Sequence, residues 1–519
     1  LLALGCGSAP EPAGELVFVR DGVVVPSVSA AGQPVGGERT LVSTDWKPGE
    51  TITVEGISGT PPVRPECISL FHVPLSDVSR LAATGGIAPN SSLAFSPDGT
   101  QLAIGSHQGD LVVVDGWTGK ERARTQLPEA LVKQVAWSPD GKTLYVGEQS
   151  PDAFLHAYDP ATLERQWTFR GADFVESSPL PEGEDRYGIF DLPGIYAVRV
   201  LDNADVLVVA VHGWNLADGS RKNLSQIFRL SPDGTIADRW PKEAISALFL
   251  HTVIRQGADG KEMLLLSTQR SADGPPPADF SSGGIALLSL DPLALQSTTS
   301  VEPLAPWYKQ AHMWQALDID AKHGLFLGMS DGRLIFKQGA PPHASLTTVG
   351  ASTPIMAGEV PIAASVGFGR FVGDTVMYTT SDTNIPWGAA VPELRPPSMH
   401  PGANGIWVTD PLGNPLWGWQ GAMRIQGLSV SPDQRLGVIG GGNRSDSTDP
   451  ITYGAVVFDL TDPADGRQGS ERRMTTCATA NPVYFEHQVL NDGRIAVVEF
   501  PIADGQGGVQ GDYRATVLR

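Results

Sequence analysis

Leu93-Ala-Phe-Ser-Pro-Asp-Gly-Thr-Gln-Leu-Ala-Ile-Gly105 decides how this chain is read. A short apolar run meets a tight turn, and a second apolar run ends in glycine. Proline presets φ, aspartate can cap the turn with its side chain, and glycine supplies a positive φ, so the stretch predicts a β-hairpin. The same string returns 42 residues later as Val135-Ala-Trp-Ser-Pro-Asp-Gly-Lys-Thr-Leu-Tyr-Val-Gly147. It comes back once more as Leu428-Ser-Val-Ser-Pro-Asp-Gln-Arg-Leu-Gly-Val-Ile-Gly440, with Gln434 where the first two copies have glycine.

Each hairpin is followed by another. Asp110–Asp115 runs on to Arg124, and Phe154–Asp159 runs on to Trp167. Asp115, Asp159, Asp291, Asp410 and Asp459 each stand where a third strand would close. A carboxylate there bonds the backbone two residues on and sets the turn, so these aspartates are structural rather than catalytic. Four strands per unit and a period of about 40–45 residues predict an all-β propeller. Full units fall near residues 93–126, 135–169, 195–241, 250–301, 314–349, 363–419 and 426–473, and a partial one runs from Tyr484 to Arg519. The partial unit lacks a strand. The segment from Ile68 to Leu81 has a strand pattern with no partner before it. Joining the two closes the ring, which favours eight blades, with seven as the alternative if one weak unit is misread. Residues 67–519 are then the propeller, 15–66 carry extra β strands, and 1–14 lie outside the fold.

Composition agrees with many short strands joined by turns: 59 glycines, 42 prolines and 18% charged residues. A formal charge of −20 argues against nucleic acid and against electrostatic attachment to anionic lipid. No apolar run reaches the length of a membrane-spanning helix. There are three cysteines, Cys6, Cys67 and Cys477, and no CxxC pair for zinc or covalent haem. Ring closure places Cys67 and Cys477 in one sector, where they are expected to be bonded or close together; the Cα separation is not readable from sequence.

Loop lengths give the expected site. In a four-stranded meander the first-to-second and third-to-fourth turns share one end, called the bottom here. The other connections share the top. The bottom turns are short, as at 97–99, 139–141 and 159–160. The long segments belong to the top: His212–Arg221, Arg270–Phe280, Asn384 to Gly402, Asn443–Tyr453 and Ile502–Gly508, with Gly171–Gly194 and Glu302–Met313 between units. Long loops in a compact domain usually carry function. The candidate top-face binding residues are Trp214, His251, His312, Trp314, Trp387, His400, Arg424, Tyr453 and His487. His251, His312 and His487 fall at or just before first strands and could bind a transition metal, although their phases against the repeat disagree. Asp446-Ser-Thr-Asp449 could hold Ca²⁺ but lacks the further ligands of a known loop. No cofactor is expected. Nucleophile elbow, Walker loop, HExxH and EF-hand patterns are all missing, so no catalytic residue is assigned.

Two family resemblances sit on these motifs. The Ser-Pro-Asp-Gly hairpins resemble those of WD-repeat-like and Tol-type bacterial propellers. Ala157-Tyr-Asp159-Pro-Ala-Thr162-Leu-Glu-Arg-Gln-Trp167 resembles the tryptophan-docking repeat of pyrroloquinoline-quinone-type propellers, Ala-x-Asp-x-x-Thr-Gly-x-x-x-Trp. Asp115-Gly-Trp-Thr118-Gly119-Lys120 has the Thr-Gly-Lys half, but Ala123 stands where the tryptophan belongs; Asp410 with Trp417 and Trp419 is a looser copy. The resemblance implies that the tryptophan packs between blades. It also implies a fold shared by quinone-dependent dehydrogenases and by cofactor-free lipoprotein scaffolds of outer-membrane assembly. The adjacent cysteine pair of quinoprotein dehydrogenases is missing here, which lowers the enzyme reading. Leu1–Gly7 is similar to the end of a bacterial lipoprotein signal, with Gly5 before Cys6, although Ala3 departs from the usual leucine; residues 8–14 would then be a flexible tether.

Two readings follow. One is a scaffold in the bacterial cell envelope, periplasmic or at the cell surface. It would be lipid-anchored through Cys6 and bind an envelope protein partner through its top loops, without chemistry of its own. The alternative is a top-face enzyme, either a quinoprotein-type oxidoreductase or a lactonase-like metal-dependent hydrolase.

Overall fold

The computed structural model describes residues 15–20, 23–25, 39–43, 66–78, 92–180, 191–218, 221–257, 259–270, 284–300, 313–320, 323–329, 334–337, 346–349, 355–357, 360–384, 400–421, 423–442, 453–460, 474–503 and 509–519. The hairpin that opens the repeat forms as the sequence predicts: Ser92–Phe95 pairs antiparallel with Gln101–Gly105, which pairs with Asp110–Asp115, which pairs with Glu121–Gln126. Self-contained four-stranded sheets also run over 247–300 and 424–478. The 131–170 and 194–245 meanders are joined by a single bridge, Gln149 to Gly194. The 313–349 and 360–420 meanders are joined where Met313–Asp320 runs parallel to Val360–Val372.

The turn residues do what their chemistry requires. In the first hairpin Ser96 Oγ donates to Asp98 Oδ1 (2.6 Å), Thr100 N donates to the same oxygen (3.0 Å), and Gln101 N donates to Ser96 Oγ (3.0 Å). Ser138 with Asp140 and Ser431 with Asp433 repeat the pattern, with hydroxyl–carboxylate distances of 2.7 and 2.6 Å. The serine is therefore as much part of the motif as the aspartate. Asp115 and Asp159 bond the backbone N–H groups of Trp117, Thr118, Ala161 and Thr162, the structural role expected of them.

Closure uses both ends of the chain. Val483–Val489, Ile495–Glu499 and Arg514–Leu518 form three strands, and Ser69–Pro74 completes the sheet by pairing antiparallel with Arg514–Leu518. The first strands form a closed ring, because each neighbours the next and Val483–Val489 neighbours Ser92–Phe95. Adjacent sheets pack face to face through separate apolar clusters: Val73, Phe95, Leu102, Val498 and Val517 at the seam, and Leu111, Val113, Val132 and Val146 at the next interface. Burying each such side chain contributes about 1.5–3 kcal/mol relative to leaving it exposed. The molecule is an all-β propeller. Among the described residues its one α-helix is Ala172–Val175, in the Gly171–Gly194 connection.

Several boundaries move from the sequence reading. The second meander starts at Leu131 and the seventh expected unit ends at Ala478, so Cys477 lies on an outer strand rather than ahead of the last sheet. Cys477 is bonded to Cys67, with S–S 2.14 Å and Cα–Cα 4.7 Å. His212–Arg221 is not a long loop, because Val206–Asn215 and Arg221–Leu230 stay paired out to Asn215 and Arg221. Arg39–Ser43 adds a strand alongside Pro415–Gln420, and Glu15–Arg20 runs parallel to it.

Docking of an outer-strand aromatic on the next sheet is visible at two interfaces. Trp167 Nε1 donates to Pro232 O (2.9 Å), and its ring covers Gly234 so closely that a Cβ there would meet it at 2.7 Å. Phe71 covers Gly119 in the same way, leaving no room for a Cβ there.

Candidate functional site

First strands are where a propeller presents side chains to its central channel, and here they are irregular. Pairing slips in the first strand opposite Gly147/Glu148, between Ile195 and Ala197, between Phe249 and His251, and between Ile425 and Leu428. The extra residues left by these bulges include Lys133, Tyr196, Gln426 and Gly427. Bulges re-aim side chains and cluster at functional sites.

The polar side chains of these strands form one electrostatic group. Arg255 makes a two-pronged pair with Asp318, Nε to Oδ1 and Nη2 to Oδ2, each 3.0 Å. Asp318 is fully buried and also accepts N–H bonds from Ile319 and Phe371, both 2.9 Å. Its oxygens are thus already committed. Arg370 lies near Asp318, Arg255 and Arg199, and burial, the largest cause, holds its basicity below the ordinary value. No hydrogen bond to the Arg370 guanidinium occurs among the described residues. Arg199 donates to Val198 O (2.9 Å), and Lys133 donates to Gln149 Oε1 (3.3 Å) and lies 4.0 Å from the Tyr196 ring.

Two predicted histidines belong to this group. Burial, with Arg199 and Lys133 beside it, lowers the His251 imidazole to about 3. His487 is 8% exposed and sits near Arg370; burial lowers it to about 4, and its Nε2 has no hydrogen-bond partner. Both fall in the middle of their strands rather than at the top rim. Arg199, Arg255 and Arg370 come one or two residues before their strands end, toward the bottom turns. The cationic group was missed in the sequence because each member is a lone polar residue in an apolar strand, at a different offset from its turn.

Trp214 and His400 are engaged elsewhere. Trp214 stacks on His212 at 4.0 Å with Lys222 at 4.8 Å over its ring. His212 is held between Ser178 Oγ (3.0 Å) and the carbonyls of Val175 (2.9 Å) and Asp191 (3.2 Å). His400 is buried and its Nδ1 accepts from Gly402 N (2.9 Å). Arg424 is half-buried at the start of its strand, opposite Gly442. Tyr453 is half-buried, and burial raises its phenol. Trp314 lies on Met313–Asp320, but its side chain is outside the described residues, as are Cys6, His312, Trp387 and the 446–449 segment. Among the described residues no three His, Cys, Asp or Glu side chains are grouped to hold a metal ion.

A separate groove of about 440 Å³ opens between the first two meanders, around Gln126, Glu148, Asp152, His156 and Arg165. Glu148 and His156 are buried at 3.7 Å, and Ser150 Oγ donates to Glu148 Oε1 (2.6 Å). His156 Nδ1 bonds Thr168 Oγ1 (2.9 Å). The serine hydroxyl donates to the carboxylate rather than to the imidazole.

No protein-family model and no curated protein matches the chain. Among solved structures it is similar to the C-terminal WD40 domain of Sif2, with 12% identity and TM-score 0.48 over 89% of this chain and 99% of that one. It is similar to the Dos1 propeller, with 11% identity and TM-score 0.48 over 86% and 94%. It is also similar to BamB from Moraxella catarrhalis, with 12% identity and TM-score 0.38 over 82% and 83%.

Proposed function

We propose that this protein is a non-catalytic binding scaffold: an eight-bladed ring over residues 67–519, preceded by extra strands over 15–66. On this reading Cys6 carries a lipid that holds it in the bacterial cell envelope, and an envelope protein docks on the top face. One observation carries the binding role. The two ends of the ring differ: bottom turns such as 96–101, 138–143 and 431–436 are locked by their own side chains. The connections at the other end include the lengthy stretches from Arg270 to Gly284, Asn384 to Gly405 and Gly442 to Gly454. Such asymmetry suits a rigid frame presenting one variable face.

The test replaces residues 386–399 with a short Gly-Ser linker and follows co-purification from the native envelope after cross-linking. The expected result is loss of a specific cross-linked partner with the melting temperature unchanged. Retention of every partner by the shortened chain would overturn the top-face reading. Cys6→Ser should release the chain from detergent-phase membranes, and unchanged partitioning would remove the anchor.

A further inference from the structure

We propose that the groove between the first two meanders is a saccharide site, in which a hydroxyl group of a short neutral sugar chain bridges Glu148 and His156. The groove uses none of the long loops of the top face, so the site is independent of the scaffold reading.

The groove exists because the first outer strand is small where the second is bulky. Val113 pairs with Ala123 and Leu111 with Thr125; at the same places in the next meander Ala157 pairs with Trp167 and Leu155 with Phe169. Trp167 docks on Gly234, and the Phe169 ring lies 5.0 Å from that of Phe228, so their interface is filled. Thr125 instead lines an opening of about 440 Å³, where a close-packed interior leaves few voids larger than a water molecule. Phe154, His156 and Tyr158 line it from the second meander, alternate residues spanning about 13 Å at about 3.3 Å per residue. His156 is itself a departure, because its counterpart in the first meander is Val112.

The polar atoms in the groove are complementary to one chemical group. The Glu148 and His156 side chains are only 5% and 3% exposed, and Glu148 Oε2 lies 3.7 Å from His156 Nε2, beyond hydrogen-bond reach. Ser150 holds the other carboxylate oxygen, and Thr168 bonds the other ring nitrogen. Among the described residues neither Oε2 nor Nε2 has a hydrogen-bond partner, although both side chains line the groove. The carboxylate facing Nε2 favours a proton on that nitrogen, so the pair presents one acceptor and one donor. A hydroxyl group donates to Oε2 and accepts from Nε2–H at once. An ammonium group satisfies only the first, and a carboxylate or phosphate only the second. The remaining lining suits a sugar. Phe154, Leu127 and Leu163 give apolar surface for ring C–H groups. Asp152 adds an acceptor, because Arg170 takes only its Oδ1. Glu129, Glu148 and Asp152 against Arg165 leave the lining acidic, which disfavours an acidic sugar.

Calorimetric titration of the full chain tests this, with maltotriose, cellotriose and triacetylchitotriose as separate neutral probes and spermidine as a cationic one. Wild type should bind at least one trisaccharide saturably. Glu148→Gln and His156→Val, the second giving the residue of the first meander, should each weaken that binding about tenfold or more, as losing a charge-assisted hydrogen bond does. Thr125→Phe, which gives the first outer strand the aromatic of the second, should abolish binding by filling the groove with the polar pair intact. Trp117→Ala removes an exposed ring outside the groove and should leave binding unchanged. No saturable binding of any trisaccharide would overturn the site, and binding of spermidine alone would overturn it in favour of a cation. Loss of sugar binding in Trp117→Ala alone would place the sugar on that ring and overturn the site equally. Should one groove variant lose its native circular dichroism, the others decide: wild-type affinity in any folded one overturns the proposal.

Discussion

Leu163 holds φ at 54°, the conformation that the preceding hairpin gives to Gly119 at 68°. A β-carbon there is strained, and a side chain at this turn position projects toward the sheet before it. Elsewhere that space belongs to a docking aromatic: Phe71 fills it over Gly119 and Trp167 over Gly234. At Leu163 the facing outer strand offers Ala123, and both residues pack in one apolar cluster. The missing tryptophan is thus compensated: the bulk has moved from the strand to the turn. The departure at Ala123 was legible in the sequence, but its reason was not, because it needs the register that sets Ala123 against another sheet's turn. Ala123→Trp should overpack this interface and destabilise the fold by about 1–3 kcal/mol. Adding Leu163→Gly should recover most of that loss. A urea double-mutant cycle measures the coupling, and additive effects would refute the exchange.

Between elements, the ring depends on its seam. Arg494, on the last sheet, is 2% exposed and donates to Gly99 O and Gly116 O, both 2.8 Å, across to the first sheet. Its guanidinium pairs with Asp492 at 2.8 Å and lies 3.8 Å from the Trp117 ring. Cys67–Cys477 fastens the N-terminal closing strand to the adjacent sheet, across a sequence separation of 410. The closing strand was readable because a unit of about three strands needed a fourth and Ile68 began an unpaired one. Arg494 was not readable, since a basic residue after Asn-Asp-Gly has the look of an exposed turn. Arg494→Met strands two buried carbonyls and should cost about 2–4 kcal/mol. Replacing both cysteines with alanine removes a loop constraint and should cost on the order of 3–5 kcal/mol. Guanidinium denaturation of the two variants checks both, and a Cys67→Ala/Cys477→Ala chain as stable as wild type would show that the seam holds without the bond.

At the scale of the whole molecule, the buried imidazoles set how the ring responds to acid. Burial, with Lys133 nearby, lowers His107 to about 4, matching His487 at about 4 and His251 at about 3. An unfolded histidine titrates near 6.5. Between these values the unfolded chain takes up protons that the folded ring refuses, so stability must fall as pH drops. The contribution of the neutral histidines is fully present above about pH 6.5 and lost as pH falls to about 4. His107 and His487 should each account for on the order of 2 kcal/mol, and the more accessible His251 for less. Protonation would also set His251 and His487 beside Lys133, Arg199 and Arg370, adding cation to cation. Below about pH 4 the carboxylates of Asp98 and Asp115 extend the loss, since hydrogen bonds hold both below the usual range, led by Ser96 for Asp98 and Arg122 for Asp115. Urea midpoints between pH 7.5 and 4.5 should therefore decline steadily in the wild type. His107→Gln and His487→Gln should each flatten that decline, and a wild-type midpoint that is constant or rises toward pH 4.5 would mean that the imidazoles titrate freely in the folded ring.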